Sequence, residues 1–280
     1  MTWGTSIVTA KRMAIFEGAR LLRALGLEGS LRSRVKAGRR RNEPWILPFE
    51  RLRLMWTADG RSRLWTMFVH AGSVHQTSTF TAFDRYSAIF DQAAAIRPSA
   101  ARVLSFGCST GEELLSLRRR FTEAEIVGVE LNPRCRAIAK SRVAPDLRIS
   151  VIAPEGLTGS FDVICAMAVF QRDPHRIAEM DVDDITEIYS FKHFEKQLGI
   201  LVGCLRYDGI LCVDNAQYRV EDSASADLLK PVAKSPTMRC MLFGPEGRKL
   251  QDAVANTIFR KVRRGERGQD AAQDAGRLIR

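Results

Sequence analysis

The fold is decided by one stretch of the sequence, Val103-Leu104-Ser105-Phe106-Gly107-Cys108-Ser109-Thr110-Gly111-Glu112-Glu113. Its first residues are apolar or β-prone and predict a strand, which ends where Gly107 begins a loop of small residues. Gly111 closes that loop and opens a helix. Further along the chain, a second apolar run ends with the carboxylate of Glu130. Strand, glycine loop, helix, strand and acid, in this order, are typical of a nucleoside-binding βαβ unit.

The glycine loop lacks the features of a phosphate site. A dinucleotide fingerprint requires a third glycine that packs the helix on the strand, and a P-loop requires Gly-Lys followed by Ser or Thr. Residues 107–113 contain neither feature. The loop therefore favours a nucleoside without phosphates, and S-adenosyl-L-methionine is the obvious candidate.

Apolar runs and helical periods alternate over residues 80–213. This alternation predicts an α/β fold with a mostly parallel, doubly wound, Rossmann-like sheet and right-handed crossovers. The near-continuous apolar strands agree with a sheet that is covered on both faces. The predicted strands are 102–105, 126–129, 147–152, 161–166 and 210–213. The predicted helices are 80–96, 111–120, 132–142 and 184–206.

Further elements are predicted outside this alternation. Residues 11–28 have helical spacing, and Leu52–Phe68 is interpreted as a hairpin around Asp59-Gly60, which together give a helical and hairpin N-terminal extension. Residues 238–243 are predicted to form an antiparallel edge strand, and residues 248–262 a helix. The predicted domains are a basic extension over 1–79 for substrate access or partner docking, a cofactor-binding domain over 80–262 and a mobile basic tail over 263–280.

Charge and cysteine usage limit the possible partners and compartments. The net charge is +11, and residues 1–63 carry 14 Lys and Arg against 5 Asp and Glu. Such a segment fits an acidic partner, RNA or anionic lipid, although solvated termini explain it equally simply. The six cysteines are scattered without a Cys-x-x-Cys pair, which predicts buried free thiols in the cytoplasm. No apolar run is long enough for a transmembrane helix, and no export signal is expected.

The region from about Arg102 to Val213 resembles the class I S-adenosylmethionine-dependent methyltransferases. Residues 108–113 are especially similar to the first motif of the chemotaxis-receptor (CheR-like) methyltransferases. The general family pattern is acid-x-Gly-x-Gly-x-Gly, and Gly107 and Gly111 match two of its glycines. Ser105 stands in place of the acid and Ser109 in place of the middle glycine. Glu112 or Glu113 is a candidate to replace the missing carboxylate, which in this family contacts the methionine amino group.

The resemblance implies a cofactor site at the carboxyl ends of the strands, with S-adenosyl-L-methionine as the cofactor. Glu130 is expected to bind the ribose, because a carboxylate is a natural bidentate acceptor for a diol. Glu155 follows the third strand, where the family holds adenine. Tyr86 and Met167 are candidate contacts to the cofactor, and packing in the core explains them equally well. The predicted cofactor-binding residues are Ser105, Gly107, Cys108, Ser109, Gly111, Glu130, Leu131, Glu155, Met167 and Tyr86.

The expected activity is methyl transfer to an O, N or C nucleophile. Transfer from a sulfonium is an in-line displacement, and a neutral acceptor also needs a base to remove its proton. The candidate bases are His70, His75 and Asp84, with His175 and His193 as further histidines. No pair of possible ligands has metal-binding spacing, so no metal is predicted.

A small molecule is the expected acceptor. The fourth predicted strand is followed by neither the Asn/Asp-Pro-Pro-Tyr/Phe signature of exocyclic-amine DNA methylation nor a Pro-Cys nucleophile. Two alternatives remain open. One is an RNA or protein methyltransferase that docks its substrate through the basic N-terminal region. The other is a non-catalytic regulatory protein that retains the fold, as the departures at Ser105 and Ser109 would allow.

Overall fold

A computed structural model describes residues 56–70, 74–76, 81–234, 240–251 and 254–264. The chain divides into two units, Met1–Thr57 and Ala58–Arg280, and the description below concerns the second. The helix predicted over residues 11–28 and the tail from residue 265 lie outside the described residues. Among the described residues, no helix combines the length and the apolar character that crossing a bilayer requires.

The unit is built on a seven-stranded sheet of order β3-β2-β1-β4-β5-β7-β6. Strands β1 to β5 run parallel to one another, and β7 is antiparallel to both of its neighbours. The order reverses direction between β1 and β4, as in a doubly wound fold, so the predicted fold class is confirmed. The strands are β1 (Arg102–Phe106), β2 (Glu125–Val129), β3 (Ile149–Ile152), β4 (Phe161–Met167), β5 (Leu205–Asp214), β6 (Leu229–Lys234) and β7 (Asn256–Lys261).

Helices connect and cover the strands, and their starts follow local capping chemistry. The Asn132 side chain accepts hydrogen bonds from the backbone N–H groups of Arg134 and Cys135, and Pro133 fills the first helical position of α4. Ser190 caps α6 in the same way. The helices are α1 (Ala58–Val69), α2 (Ser87–Ile96), α3 (Glu112–Arg118), α4 (Pro133–Val143), α5 (Pro174–Glu179) and α6 (Phe191–Cys204). Short 3₁₀ turns occupy Pro154–Gly156, Val220–Asp222 and Ala226–Leu228.

Both faces of the sheet are covered, as the apolar strands predicted. On one face, Leu104 and Ile164 belong to an apolar cluster with Phe194 of α6. On the other face, Val103 packs with Phe90 of α2 and Leu114 of α3, as part of a second cluster. Because side chains alternate along a strand, Ser105 faces the same side as Val103. The glycine loop after β1 and helix α3 therefore meet the Ser105 end of β1 on that side of the sheet.

Two predicted elements are wrong. Residues 58–69 form helix α1 rather than one arm of a hairpin, because Asp59-Gly60 lies in its first turn and Gly60 and Thr66 are buried. Residues 256–261 form strand β7 rather than a helix, because Ile258 and Phe259 are both buried where β7 pairs with β5 and β6. Tertiary packing overrides local preference in both segments.

The antiparallel strand of the sheet is therefore β7, inserted between β5 and β6. Of the segment 238–243, where such a strand was expected, residues 240–243 are described. They form no strand, and Phe243 makes isolated bridges to Tyr218 and Lys249. Helix α2 begins at Ser87, later than the predicted start at residue 80.

Candidate cofactor and acceptor site

The loop after β1 has a left-handed backbone conformation, which is unfavourable for residues other than glycine. Gly107, Ser109 and Gly111 have φ values of 83°, 50° and 94°, all in the left-handed region. The backbone N–H groups of Gly107 and Cys108 both donate to the carbonyl of Val129, which ties the loop to the end of β2. The family pattern has glycine at all three positions, and Ser109 adopts the conformation at a cost in strain.

Steric contacts explain why glycine occupies the two ends of this loop. A Cβ at Gly107 would lie 2.6 Å from Cγ2 of Val169, which follows β4. A Cβ at Gly111 would lie 3.1 Å from Cα and 3.2 Å from Cβ of Ala139 in helix α4. Gly111 therefore allows the start of α3 to approach α4 closely, while Gly107 allows the loop to approach the end of β4.

Glu130 lies directly after β2 and links two backbone segments. Its Oε2 accepts a hydrogen bond of 2.8 Å from the N–H of Ser109, and its Oε1 accepts one of 2.7 Å from the N–H of Asn132. Burial raises the pKa of this carboxyl, although these backbone donors oppose the shift. Each carboxylate oxygen can accept a further bond, so the geometry is compatible with ribose hydroxyls.

Glu112 and Glu113, adjacent in the first turn of α3, have different environments. Ser105 Oγ donates a 2.7 Å hydrogen bond to Glu113 Oε1, and both residues are buried. Burial raises the pKa of Glu113 to about 7, although Ser105 and the positive charge of Arg85 oppose the rise. Glu112 instead accepts a bond from Thr110 and pairs with Arg142 at 2.6 Å. Of these two carboxylates, Glu113 is therefore the one that lies beside Ser105, at the position where the family pattern has an acid.

The remaining predicted cofactor residues are distributed around this loop. Cys108 is buried, and burial raises the pKa of its thiol well above the ordinary value. Tyr86 is buried just before α2, and its Oη accepts a 3.2 Å hydrogen bond from Asn215 Nδ2. Met167 ends β4 and is buried. Leu131 and Glu155 follow β2 and β3, respectively, and Glu155 is exposed.

The N-terminal segment, here residues 58–70 and 74–76, contacts the carboxyl edge of the sheet at two places. At the end of β2, Ser62 of α1 donates a 2.7 Å hydrogen bond to Asn132 Oδ1, and Asp59 pairs with Arg134. Beyond β4, Arg172 donates a 2.8 Å hydrogen bond to the backbone oxygen of Val74. Residues of this segment therefore lie beside both the second and the fourth strand ends.

His75 lies in an aromatic cluster beyond β4. Its Nδ1 is 2.6 Å from Tyr189 Oη, its ring stacks on His193 at 4.1 Å, and Phe170 contacts it edge-on. Its Nε2 is buried without a hydrogen-bond partner among the described residues. Burial, and then the charges of His193 and Arg172, lower the pKa of His75 to about 3. A neutral imidazole with so low a pKa holds a transferred proton poorly, which weakens its case as a general base.

The other candidate bases lie in different surroundings. His70 follows α1 and is half-buried, and His175 is exposed in α5. Asp84 accepts a hydrogen bond from Arg120 Nη1, and Arg119 lies 3.9 Å from its other oxygen. The Asp84 carboxylate thus holds the turn before α2 against the end of α3. The role of general base, for which these residues are candidates, stays a prediction.

Sequence reasoning missed two residues that the fold brings to this edge, namely Tyr189 and Asn215. Tyr189 contacts His75 across 114 positions in the chain, and no local pattern marks such a pair. Asn215 has a φ of 51° directly after β5, so an Asn at a strand end was a weak available signal. All six cysteines are free, as predicted, and four of them are buried.

Comparison with known protein families identifies part of this unit. Residues 79–181 match a family model described as "Methyltransferase domain". The matched segment contains the glycine loop, Glu130 and strands β1 to β4. That segment is therefore similar to methyltransferase domains, and the remaining residues lie outside the match.

A curated relative matches over a shorter length. The "Trans-aconitate 2-methyltransferase" of Deinococcus radiodurans is 34% identical over 71 residues, which is 25% of this chain and 28% of the relative. The aligned part is thus less than a third of that enzyme. None of these matches concerns the chemotaxis-receptor enzymes, so that likeness stays a prediction from residues 108–113.

Solved structures of methyltransferases are similar at low identity. The N-methyltransferase NodS from Bradyrhizobium japonicum WM9 is 15% identical, covers 65% of this chain and 100% of its own, and has a TM-score of 0.41. CalS10, an amino pentose methyltransferase from Micromonospora echinaspora, is 18% identical, covers 70% of this chain and 84% of its own, and has a TM-score of 0.37.

Proposed function

We propose that this chain is an S-adenosyl-L-methionine-dependent methyltransferase of the cytoplasm that acts on an O, N or C nucleophile of a small molecule. One observation carries the proposal: the Glu130 carboxylate is joined to the glycine loop through Ser109 N–H, inside the segment that matches a methyltransferase domain. A carboxylate with spare lone pairs beside a glycine loop suits a nucleoside, and the loop has no phosphate-binding sequence.

The residues present fit this cofactor at three points. The left-handed loop would let the backbone approach a ligand, Glu130 would accept hydrogen bonds from ribose hydroxyls in addition to the one from Ser109 N–H, and Glu113 would offer a buried carboxylate. When bound, S-adenosylmethionine supplies a methyl group on a sulfonium, which an acceptor attacks in line. The chain's part is to hold the donor at the ends of β1 and β2 and the acceptor near the end of β4. Phe170 and Tyr189 would exclude water there, because both are buried.

The N-terminal segment is proposed to shape access to the acceptor. Helix α1 contacts the start of α4 through Ser62, and His75 packs beyond β4. An acceptor that approaches β4 would therefore meet this segment. The name of the curated relative specifies trans-aconitate, a small molecule, and this supports a small acceptor here.

Calorimetry with S-adenosylhomocysteine tests the proposal directly. Wild-type protein should bind it at micromolar to millimolar concentrations. Glu130→Ala should weaken binding by about 1–3 kcal/mol, because ribose hydroxyls lose a charged partner. The matched control is Glu125→Ala, at the other end of the same strand, where the carboxylate is half exposed and pairs with Arg102. Absence of binding by the wild type at millimolar ligand would refute the proposal.

The nucleic-acid alternative has its own signature. If residues 1–63 dock RNA, binding should weaken steeply as salt rises, since each phosphate contact releases counterions. Deletion of residues 1–41 should then abolish the RNA binding but leave S-adenosylhomocysteine binding intact. RNA binding that is absent or independent of salt would favour the small-molecule acceptor.

A further inference from the structure

His75 carries a buried ring nitrogen that the described part of the chain leaves without a hydrogen-bond partner. The side chain belongs to a residue that is only 4% exposed, and its Nε2 forms no hydrogen bond with any described residue. The other ring nitrogen, Nδ1, lies 2.6 Å from Tyr189 Oη. A buried polar atom without a partner costs free energy, which a bound ligand with the complementary group would recover.

The contact with Tyr189 decides which ring nitrogen of His75 carries the hydrogen. Burial raises the pKa of the Tyr189 phenol and lowers the pKa of His75 to about 3, so the phenol keeps its proton and the imidazole is neutral. A phenol is a stronger acid than a neutral imidazole N–H, so the Tyr189 hydroxyl donates and Nδ1 accepts. Nε2 therefore carries the ring hydrogen and is a buried donor.

The surroundings of this donor are positively charged. Arg172 Nη1 donates hydrogen bonds of 2.8 Å to the backbone oxygen of Val74 and of 3.4 Å to that of His75. No described carboxylate lies within ion-pair distance of the half-buried Arg172 guanidinium, which is always charged. A ligand oxygen that accepts from Nε2–H is therefore favoured when it carries negative charge.

The His75 ring lies within reach of a small molecule bound beside the glycine loop. The segment after β4 joins the two places. Its Val169 is next to Gly107, where an added Cβ would lie 2.6 Å from Val169 Cγ2, and its Phe170 contacts the His75 ring edge-on at 5.4 Å. The three residues from Val169 to Arg172 span at most about 11 Å. An acceptor whose reacting atom faces the end of β4 can thus place a second functional group on His75 and Arg172.

We propose that His75 Nε2–H and the Arg172 guanidinium form a subsite that binds a carboxylate of the acceptor, which is therefore an organic acid. The inference rests on the proposed function above and narrows its small-molecule acceptor to one chemical class. His75 is in this role a binding residue, because its neutral ring donates a hydrogen bond and takes up no proton. Tyr189 is a positioning residue, since it acts on the acceptor only through the tautomer of His75.

Two probes of nearly the same shape test the preference for negative charge. Benzoate carries a carboxylate, and benzamide replaces it with a neutral amide. Calorimetric titration of the full chain, with and without S-adenosylhomocysteine, should show benzoate bound about ten- to hundredfold more tightly than benzamide, because hydrogen bonds to a charged group are the stronger ones. Equal affinity for the two probes, or binding of neither, would overturn the inference.

Matched variants assign the preference to particular groups. Arg172→Gln removes the charge and should bring the two affinities within about twofold of each other, whereas Arg172→Lys keeps the charge and should keep much of the preference. His75→Phe retains an aromatic ring but lacks Nε2–H, and it should weaken benzoate binding by about tenfold. His175→Phe and Arg176→Gln make the same changes at exposed positions of α5 and should leave both affinities unchanged. A preference that survives Arg172→Gln would contradict the assignment.

NMR spectroscopy of the wild-type chain gives a readout that needs no folded variant at Arg172. Spectra that correlate the imidazole nitrogens with the ring carbon-bound hydrogens should show His75 protonated at Nε2 and unprotonated at Nδ1. Benzoate should shift the Nε2 resonance of His75 and leave that of the exposed His175 in place, and benzamide at the same concentration should shift it less. A His75 ring protonated at Nδ1, or a His75 resonance that benzoate leaves unmoved, would refute the subsite.

Binding of S-adenosylhomocysteine to the same sample separates this inference from the proposed function. If the wild type binds S-adenosylhomocysteine but does not prefer benzoate, the organic-acid inference fails and the proposed function stands. If it prefers benzoate but does not bind S-adenosylhomocysteine, the proposed function fails and the anion subsite at His75 and Arg172 remains.

Discussion

Substitution of Gly111 by alanine should destabilise the fold, whereas the same change at Gly199 should stabilise it. Gly111 has a φ of 94°, and its added Cβ would lie 3.1 Å from Ala139 Cα, part of a helix backbone. The left-handed conformation costs a non-glycine residue about 1–2 kcal/mol. Overpacking against a helix that has to shift by a few tenths of an ångström adds about 1 kcal/mol or more. The expected loss is therefore about 2–4 kcal/mol.

Gly199 is the matched control, because it lies on the exposed side of α6 and a Cβ there would meet nothing within 4 Å. Alanine in an exposed helix interior is favoured over glycine by about 0.5–1 kcal/mol. Urea unfolding followed by circular dichroism measures the free energy of unfolding of both variants. Unchanged m-values would show that the denatured state is comparable.

The two contributions at Gly111 can be separated. In the double variant Gly111→Ala with Ala139→Gly, the contact with the Ala139 Cβ is removed while the backbone strain stays. A double-mutant cycle should therefore give a favourable coupling energy of about 0.5–1 kcal/mol. If Gly111→Ala costs less than about 0.5 kcal/mol, or if Gly199→Ala costs as much, the steric reasoning is refuted.

Three further predictions follow from particular contacts. The side chain of Asp162 accepts from the N–H groups of Ala101 and Arg102 and from Arg206, which together lower its pKa although burial alone would raise it. Its contribution is therefore present above the unfolded pKa of about 3.9 and is lost as pH falls through the lower folded pKa. Asp162→Asn should reduce the free energy of unfolding by about 1–3 kcal/mol at pH 7, and urea titrations at pH 2 should show that difference largely gone. Ser109→Gly should raise stability by about 0.5–1 kcal/mol, because glycine removes the left-handed strain, and a lower melting temperature would contradict this. Tyr189→Phe should lower stability by about 1 kcal/mol, since the partner of His75 Nδ1 is lost, and an unchanged urea midpoint would show that this hydrogen bond contributes nothing.

Local sequence spacing is enough to predict those parts of the candidate site that lie within one βαβ unit. The left-handed glycines at 107 and 111 and the carboxylate after β2 lie within one βαβ unit, where strand, turn and helix lengths fix the relative positions of neighbours. Apolar strand content likewise predicted a sheet covered on both faces. These features depend on backbone geometry and burial over short stretches, which residue patterns express directly.

The tertiary structure alone decided the features that depend on distant partners. Asp59-Gly60 begins a helix because α1 packs on α4, although the dipeptide favours a turn. Residues 256–261 form β7 because the sheet has a place for a strand beside β5. Only the packing of α3 against β1 distinguishes Glu113 from Glu112, because both lie in the same turn and have the same chemistry. Burial and pairing between remote segments are properties of the folded chain, and no local pattern contains them.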